Sequence, residues 1–154
     1  MKLDRLLHIL CTLRAAHWAH WTSHWQAQGA PFYGDHLMFS RIYESIEDEI
    51  DALAEKIVGE FGPMAVNPVE QMQRALEIVS VHDHQDPVIR SMGIEDYLQD
   101  QLSTVYDQLK QTRTISLGLD DFLMSVANSH ESHLYLLRQK LRPSPVYGTD
   151  APDR

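Results

Sequence analysis

The sequence predicts an all-α fold: a four-helix bundle with a short extra helix in the connection between its second and third long helices. Four long segments carry apolar residues at alternating steps of three and four, the period of a helix with one buried face. No segment alternates convincingly as a strand, and there is no internal repeat or low-complexity tract. The connections within the first and second helix pairs are short, whereas the middle one is long. That pattern makes two antiparallel pairs joined by a crossover. At 154 residues the chain is one domain, 1–154, long enough to bury a core.

The first helix runs from about Leu3 to Gln28, with Leu3, Leu6, Leu10, His17, Trp21 and His24 near one stripe. The stretch Gly29-Ala30-Pro31-Phe32-Tyr33-Gly34 then breaks the helix and turns the chain back. A second helix follows Gly34 to about Phe61, with Asp35 as expected N-cap and a seam of Phe39, Tyr43, Ile46, Ile50, Leu53 and Ile57. Gly59 to Pro63 ends it. Asn67-Pro68 reads as N-cap and first residue of a short helix to about Ser80. A loop is expected over Val81–Gly93, then a helix over Ile94–Leu117 stopped by Gly118, with Ile94, Leu98, Val105 and Leu109 inward. The last helix spans about Asp120 to Leu141, with Leu123, Val126, His130, Leu134, Leu137 and Leu141 in line. Pro143 and Pro145 open a loose tail from about 142.

Charge narrows the function classes. There are 22 Asp+Glu against 13 Lys+Arg, which argues against unaided nucleic-acid binding and suits a protein whose ligands are cations; ordinary solubility gives the same balance. A single cysteine, Cys11, excludes an intramolecular disulfide; it fits a reducing cytoplasm and sits among apolar residues as packing. The opening residues carry charges within their apolar stretch and show no clean signal-peptide cleavage site, and no run is long and apolar enough to span a bilayer. A cytoplasmic location is expected.

The chemistry concentrates in His24, His36, Asp51 and Glu55. Asp51 and Glu55 are four residues apart, so they share one helical face. His24 and His36 flank the glycine turn, which lets their imidazoles approach across a helix hairpin. Two imidazoles and two carboxylates suit a borderline transition metal such as iron(II), with positions left for water or an oxidant. One copy cannot complete such a site. His36 and Asp51 lie fifteen residues apart on one helix, roughly 22 Å at 1.5 Å per residue, with no glycine or proline between them. Metal–ligand bonds are about 2 Å long. The economical arrangement is two chains around a two-fold axis, the His pair of one meeting the carboxylate pair of the other.

The run His24-Trp25-Gln26-Ala27-Gln28-Gly29, then Phe32, His36 and Asp51-Ala52-Leu53-Ala54-Glu55-Lys56, resembles the signature of the Dps family of mini-ferritins. The ligand offsets of 12, 15 and 4 residues are those of that family's inter-subunit ferroxidase centre. The resemblance spans the chain in helix order, with its motifs concentrated in residues 17–57. It implies a hollow dodecamer that oxidises iron(II), often with hydrogen peroxide or with dioxygen, at a mono-iron or di-iron centre made by His24, His36, Asp51 and Glu55, and stores ferric mineral against oxidative damage. Zinc is the alternative metal.

Trp25, beside His24, is expected to pack against and shield the site. Glu44, Glu47 and Asp48 share the side of Asp51 and are candidates to gather iron and nucleate mineral; a solvated face accounts for them equally well. Asp120 and Asp121 are read first as capping the last helix; the resemblance adds a role in three-fold pores through which iron enters. His17 and His20 read as packed or interface residues, and His130 as a satisfied core histidine, with an auxiliary metal role conceivable beside Glu131. His82-Asp83-His84 is an exposed loop given no function. The intra-bundle di-iron centre of other ferritin-like proteins uses Glu-x-x-His. No glutamate here has a histidine three residues on, which argues against a centre of that kind.

Direct DNA binding is not expected. The first helix begins almost at Met1, without a lysine-rich extension before it, and the tail from Arg142 balances two arginines with two aspartates. Counterion release needs several cations. Protection, on this reading, is chemical. The competing functions are a non-catalytic cage sequestering divalent metal and a structural, DNA-associating cage.

Overall fold

The computed structural model describes residues 1–143 and is all-helical within them. Its helices are α1 (Lys2–Gln26), α2 (Phe32–Phe61), α3 (Pro68–Val81), α4 (Pro87–Gln111) and α5 (Leu117–Leu141), with a 3-10 turn at Pro63–Ala65. α1 pairs with α2 and α4 with α5, each pair through a short turn; α1 also packs on α4, and α3 lies across α1 in the crossover. Leu10, Leu13, Phe39, Ile42, Ile46, Leu53, Ile94, Leu98 and Leu137 are fully buried in one core fed by all four long helices. Cys11 is buried with Ala15 and Ile78 where α3 covers α1. The tail beyond 143 lies outside the described residues. No helix among those residues is long and apolar enough to cross a membrane.

Capping chemistry sets the helix boundaries and moves several of them. Asn67 Oδ1 accepts from the backbone N–H of Val69 (2.9 Å) and Glu70 (3.1 Å), so Asn67-Pro68 starts α3 as its sequence implies. The same device starts α4 seven residues before the expected Ile94. Asp86 Oδ1 accepts from Val88 N–H at 2.8 Å, ahead of Pro87, inside what reads as a loop. α4 then stops at Gln111, short of Leu117. Arg113 adopts φ 53°, and the amides of Arg113 and Thr114 return to the carbonyls of Lys110 and Leu109, a Schellman closure without a glycine. Gly118 therefore sits in the first turn of α5 instead of ending α4. Ser116 caps that turn at 3.2 Å, not Asp120. Asp35 likewise falls inside the first turn of α2, which starts at Phe32; its carboxylate pairs with Lys140 at 2.9 Å.

Replacing Leu98 with alanine should cost about 2–5 kcal/mol and lower the thermal midpoint of the protein, read by circular dichroism. Burial pushes the Cys11 thiol up to about 11, and its sulfur has no exposed surface. Ellman's reagent should therefore leave the native protein untouched at neutral pH and titrate one thiol per chain in denaturant.

Candidate metal centres

α1 and α2 clasp each other through the two histidines. Gly29 takes φ 76°, a conformation few side chains tolerate, and its carbonyl accepts from the N–H of Phe32 at 3.1 Å, reversing the chain. The rings of His24 and His36 then stack with centroids 3.6 Å apart. His24 Nδ1 donates to the carbonyl of His36 at 2.8 Å, and His36 Nδ1 donates to the carbonyl of His24 at 3.1 Å. The His24 carbonyl belongs to the last turn of α1, where backbone acceptors lack helical partners. A carbonyl only accepts, so each Nδ1 carries a proton, and in the neutral imidazole form the lone pair is on Nε2. Neither Nε2 has a hydrogen-bond partner among the described residues. A protein–backbone bond that fixes the tautomer and leaves the other nitrogen bare is the usual support for a metal-ligating histidine.

Aromatic side chains surround this pair. Phe32 stacks on His36, Tyr43 meets His24 edge-on, and Trp21 bridges Tyr43 to Trp25. Trp25 is 58 % exposed and Tyr33 73 % exposed, an apolar rim open to a partner surface.

The carboxylate half stands elsewhere on the same protomer. α2 is unbroken from Phe32 to Phe61, so His36 and Asp51 sit about four turns apart. Asp51 and Glu55 are exposed, and neither forms an ion pair with a described residue. The structure thus brings His24 and His36 together and keeps Asp51 and Glu55 together, but does not join the pairs within one chain. Ile50, next to Asp51, lines an apolar groove of about 760 Å³ with Trp18, Val69, Met72 and Leu76. Those four are largely exposed, a second patch larger than isolated surface residues account for.

The other candidates separate by their contacts. Glu44 and Asp48 are exposed; Glu47 accepts from His17 Nε2 at 3.1 Å, and His17 packs between Trp21 and Tyr43. Asp120 accepts from Lys110 Nζ at 2.6 Å, which holds its carboxyl below the usual range; Asp121 is exposed. His82 meets Tyr97 at a 47° tilt, and His84 accepts the N–H of Asp86.

A second cluster lies in the bundle core, and it contains two residues, Glu49 and Glu95, that sequence reading did not single out. Glu95 is fully buried. Its Oε1 accepts from His20 Nε2 at 2.7 Å and its Oε2 from His130 Nδ1 at 2.6 Å. His130 Nε2 donates to Glu49 Oε2 at 2.8 Å, and His133 Nδ1 lies 3.4 Å from Glu95 Oε1. His130 is thus a satisfied core histidine, but its partners come from α2 and α4; neighbouring Glu131 is exposed. Burial alone would lower His130, yet Glu95 and Glu49 outweigh it and raise it to about 10. Burial would raise Glu95, but charged His130, with the N–H of His20 donating beside it, holds it well below the usual carboxylate range. Glu95, His130 and His133 each present a ligand atom within 4.8 Å of the others. The ligand types sit where four helices meet, without Glu-x-x-His. The available signal was Glu95 on the apolar stripe between Ile94 and Leu98, facing the line of His130 on α5.

The chain matches no protein-family profile. It is 27 % identical over 120 residues to DNA protection during starvation protein 2 of Bacillus anthracis, covering 75 % of this chain and 79 % of that one. It is 23 % identical over 134 residues to a low temperature-induced protein of a Nostoc species, covering 80 % and 70 % of the two chains. Among solved structures it resembles DpsC from Streptomyces coelicolor, with TM-score 0.80, 22 % identity and coverage of 96 % and 87 %. The Dps protein of Vibrio cholerae, described as belonging to a broad superfamily of ferritin-like diiron-carboxylate proteins, superposes with TM-score 0.77 at 20 % identity, over 92 % and 89 %. With its five helices and these likenesses across its length, the chain has the ferritin-like fold in its Dps form.

Proposed function

We propose that the protein is a mini-ferritin: a hollow homo-oligomer that takes up iron(II), oxidises it at centres shared between two subunits, and holds the ferric product inside. The observation that carries this reading is the split of one ligand set along a rigid helix. His24 and His36 are pre-oriented with bare Nε2 atoms beside exposed aromatics, while Asp51 and Glu55 are unpaired beside an apolar groove. A second copy, related by a two-fold axis and seated on the groove, would supply the missing half to each centre and bury both apolar patches. The Dps neighbours support a cage, and a dodecamer is its proposed size.

Iron is the substrate. The two carboxylates attract iron(II) and favour iron(III) more strongly, which lowers the potential the oxidant must overcome; the imidazoles fix the ion and leave positions open. Each iron gives up one electron. Two iron(II) ions and two protons reduce one hydrogen peroxide to two waters, with no one-electron cleavage of peroxide to hydroxyl radical. Trp25 and Phe32 exclude bulk water from the centre. Glu44, Glu47 and Asp48 are proposed to collect iron or nucleate mineral, and Asp120 and Asp121 to line an iron-admitting pore. A net charge of −9 favours cations over phosphate backbones, so protection by chemistry is preferred to direct DNA coating.

Replacing Asp51 and Glu55 together by alanine should leave the native mass of the cage unchanged and slow iron(II) oxidation, followed at the ferric absorption band, by more than about 10–100-fold, the loss typical of disturbing even an outer-shell partner. Oxidation at the parental rate would refute the centre; zinc uptake without iron oxidation in the parent would favour sequestration instead. Introducing charge into the groove, Met72→Glu with Leu76→Glu, should give smaller species on size-exclusion chromatography that keep their helical circular dichroism and lose iron oxidation. Small species with full activity would mean that one chain suffices.

A further inference from the structure

The cluster inside the bundle has no part in the centre proposed between subunits, and its hydrogen bonds do not close. Ser45 Oγ donates to the carbonyl of Ile42 at 2.9 Å, so its only hydroxyl proton is committed. With that bond made, Ser45 accepts at its 3.0 Å contact with His133, which assigns the proton to His133 Nε2. A ring protonated at Nε2 alone then leaves Nδ1 without a hydrogen-bond partner among the described residues, 3.4 Å from a carboxylate oxygen of Glu95. His133 is 5 % exposed and Glu95 is fully buried. Two acceptors facing each other in a dry core are repulsive until a cation lies between them.

The spacing suits a metal ion. Two ligands about 2 Å from an ion at a tetrahedral angle are roughly 3.4 Å apart. The third ligand atom is His130 Nδ1, which now shares its proton with Glu95 Oε2. The outer contacts are those that hold metal ligands in place: His130 Nε2–H on Glu49 and His133 Nε2–H on Ser45 fix the imidazoles, and His20 Nε2–H on Glu95 fixes the carboxylate. α1, α2, α4 and α5 each contribute. The Glu49 side chain is 13 % exposed and marks the way in.

We infer that Glu95, His130 and His133 form a mononuclear site for a divalent transition ion of the zinc or iron(II) class inside each subunit. The ion replaces the proton between His130 and Glu95, takes the two Nδ1 atoms and the carboxylate, and has a free position toward Glu49. Two imidazoles and one carboxylate are a donor set for either metal. The ion ties α4 to α5, and through Glu49 and His20 to the first hairpin, so it stabilises the bundle by mass action.

The test uses the intact cage carrying Asp51→Ala and Glu55→Ala, stripped with a chelator and titrated with zinc(II) against a chromophoric competitor, and with cobalt(II) by its ligand-field absorption. One ion per subunit should bind, with nitrogen–oxygen cobalt bands and a raised thermal midpoint in excess zinc. Adding His133→Ala should abolish that binding and the midpoint shift. Should that variant fail to fold, Ser45→Ala keeps every charge and removes only the acceptor orienting His133; it should weaken zinc by about 10–100-fold. A folded cage that binds no ion in this background overturns the inference. So does binding that both Ser45→Ala and His133→Ala leave unchanged. Full iron oxidation by the Asp51→Ala, Glu55→Ala cage would instead count against the inter-subunit centre and leave this site standing.

Discussion

The rigidity of α2 is the constraint on which the rest turns. Thirty helical residues without an internal break hold His36 and Asp51 at a fixed separation far beyond metal-bond reach. Residues able to hold an ion together are thus kept apart by the secondary structure that presents them. The same helix offers its N-terminal end to α1, where the histidines interlock, and its middle to the groove roofed by α3. On the proposed function, assembly becomes part of the chemistry, because either pair of residues alone has too few donors for tight binding of a divalent ion.

The glycine turn and the histidine clasp act as one unit. Gly29 permits the reversal, and the reversal delivers each ring to the other's carbonyl. One of the two bonds uses a terminal backbone acceptor, the His24 carbonyl in the last turn of α1, so the His36 imidazole gains orientation while satisfying a group that a helix end otherwise leaves to water. Both Nδ1 atoms are consumed, so both Nε2 atoms are reserved for an external ligand. Substituting either histidine removes a ligand and an intersegment bond together. For that reason the carboxylate pair, which is exposed and makes no ion pair with a described residue, isolates chemistry from folding more cleanly.

Much of this was legible from residue order. Four amphipathic segments, the Asn67-Pro68 start and the hairpin around Gly29 depend on local chemistry, which sequence displays directly. The pairing of His24 with His36 and the isolation of Asp51 with Glu55 followed from helix arithmetic. What escaped was set by features that spacing does not reveal. Asp86-Pro87 repeats the Asn67-Pro68 device, but lies within a polar stretch that looked like loop, so α4 began early. The Schellman turn at Arg113 uses a non-glycine residue and left no glycine signal, which shifted the start of α5 onto Ser116. Glu49 and Glu95 belong to different helices from the histidines they meet. A search for Glu-x-x-His within one helix cannot find a cluster whose carboxylates come from α2 and α4.

That inner cluster is an uncommon use of a hydrophobic core. Burying a carboxylate with no exposed surface costs several kcal/mol unless it is paired and hydrogen-bonded. Here Glu95 receives imidazole donors from two helices. With Glu49 and Glu95 as carboxylates and His130 as imidazolium, the group retains one negative charge, and the lone pair of His133 adds to it. A divalent ion that displaces one proton from His130 brings the sum to zero. Charge balance and hydrogen-bond accounting therefore ask for the same thing at the same place: a second positive charge between His133 and Glu95. Apolar residues of equal volume would fill the space without that demand, and the bundle could close on them as other helix pairs close on leucine. Polar residues contributed by all four long helices, each oriented by another, are better explained by a ligand than by packing.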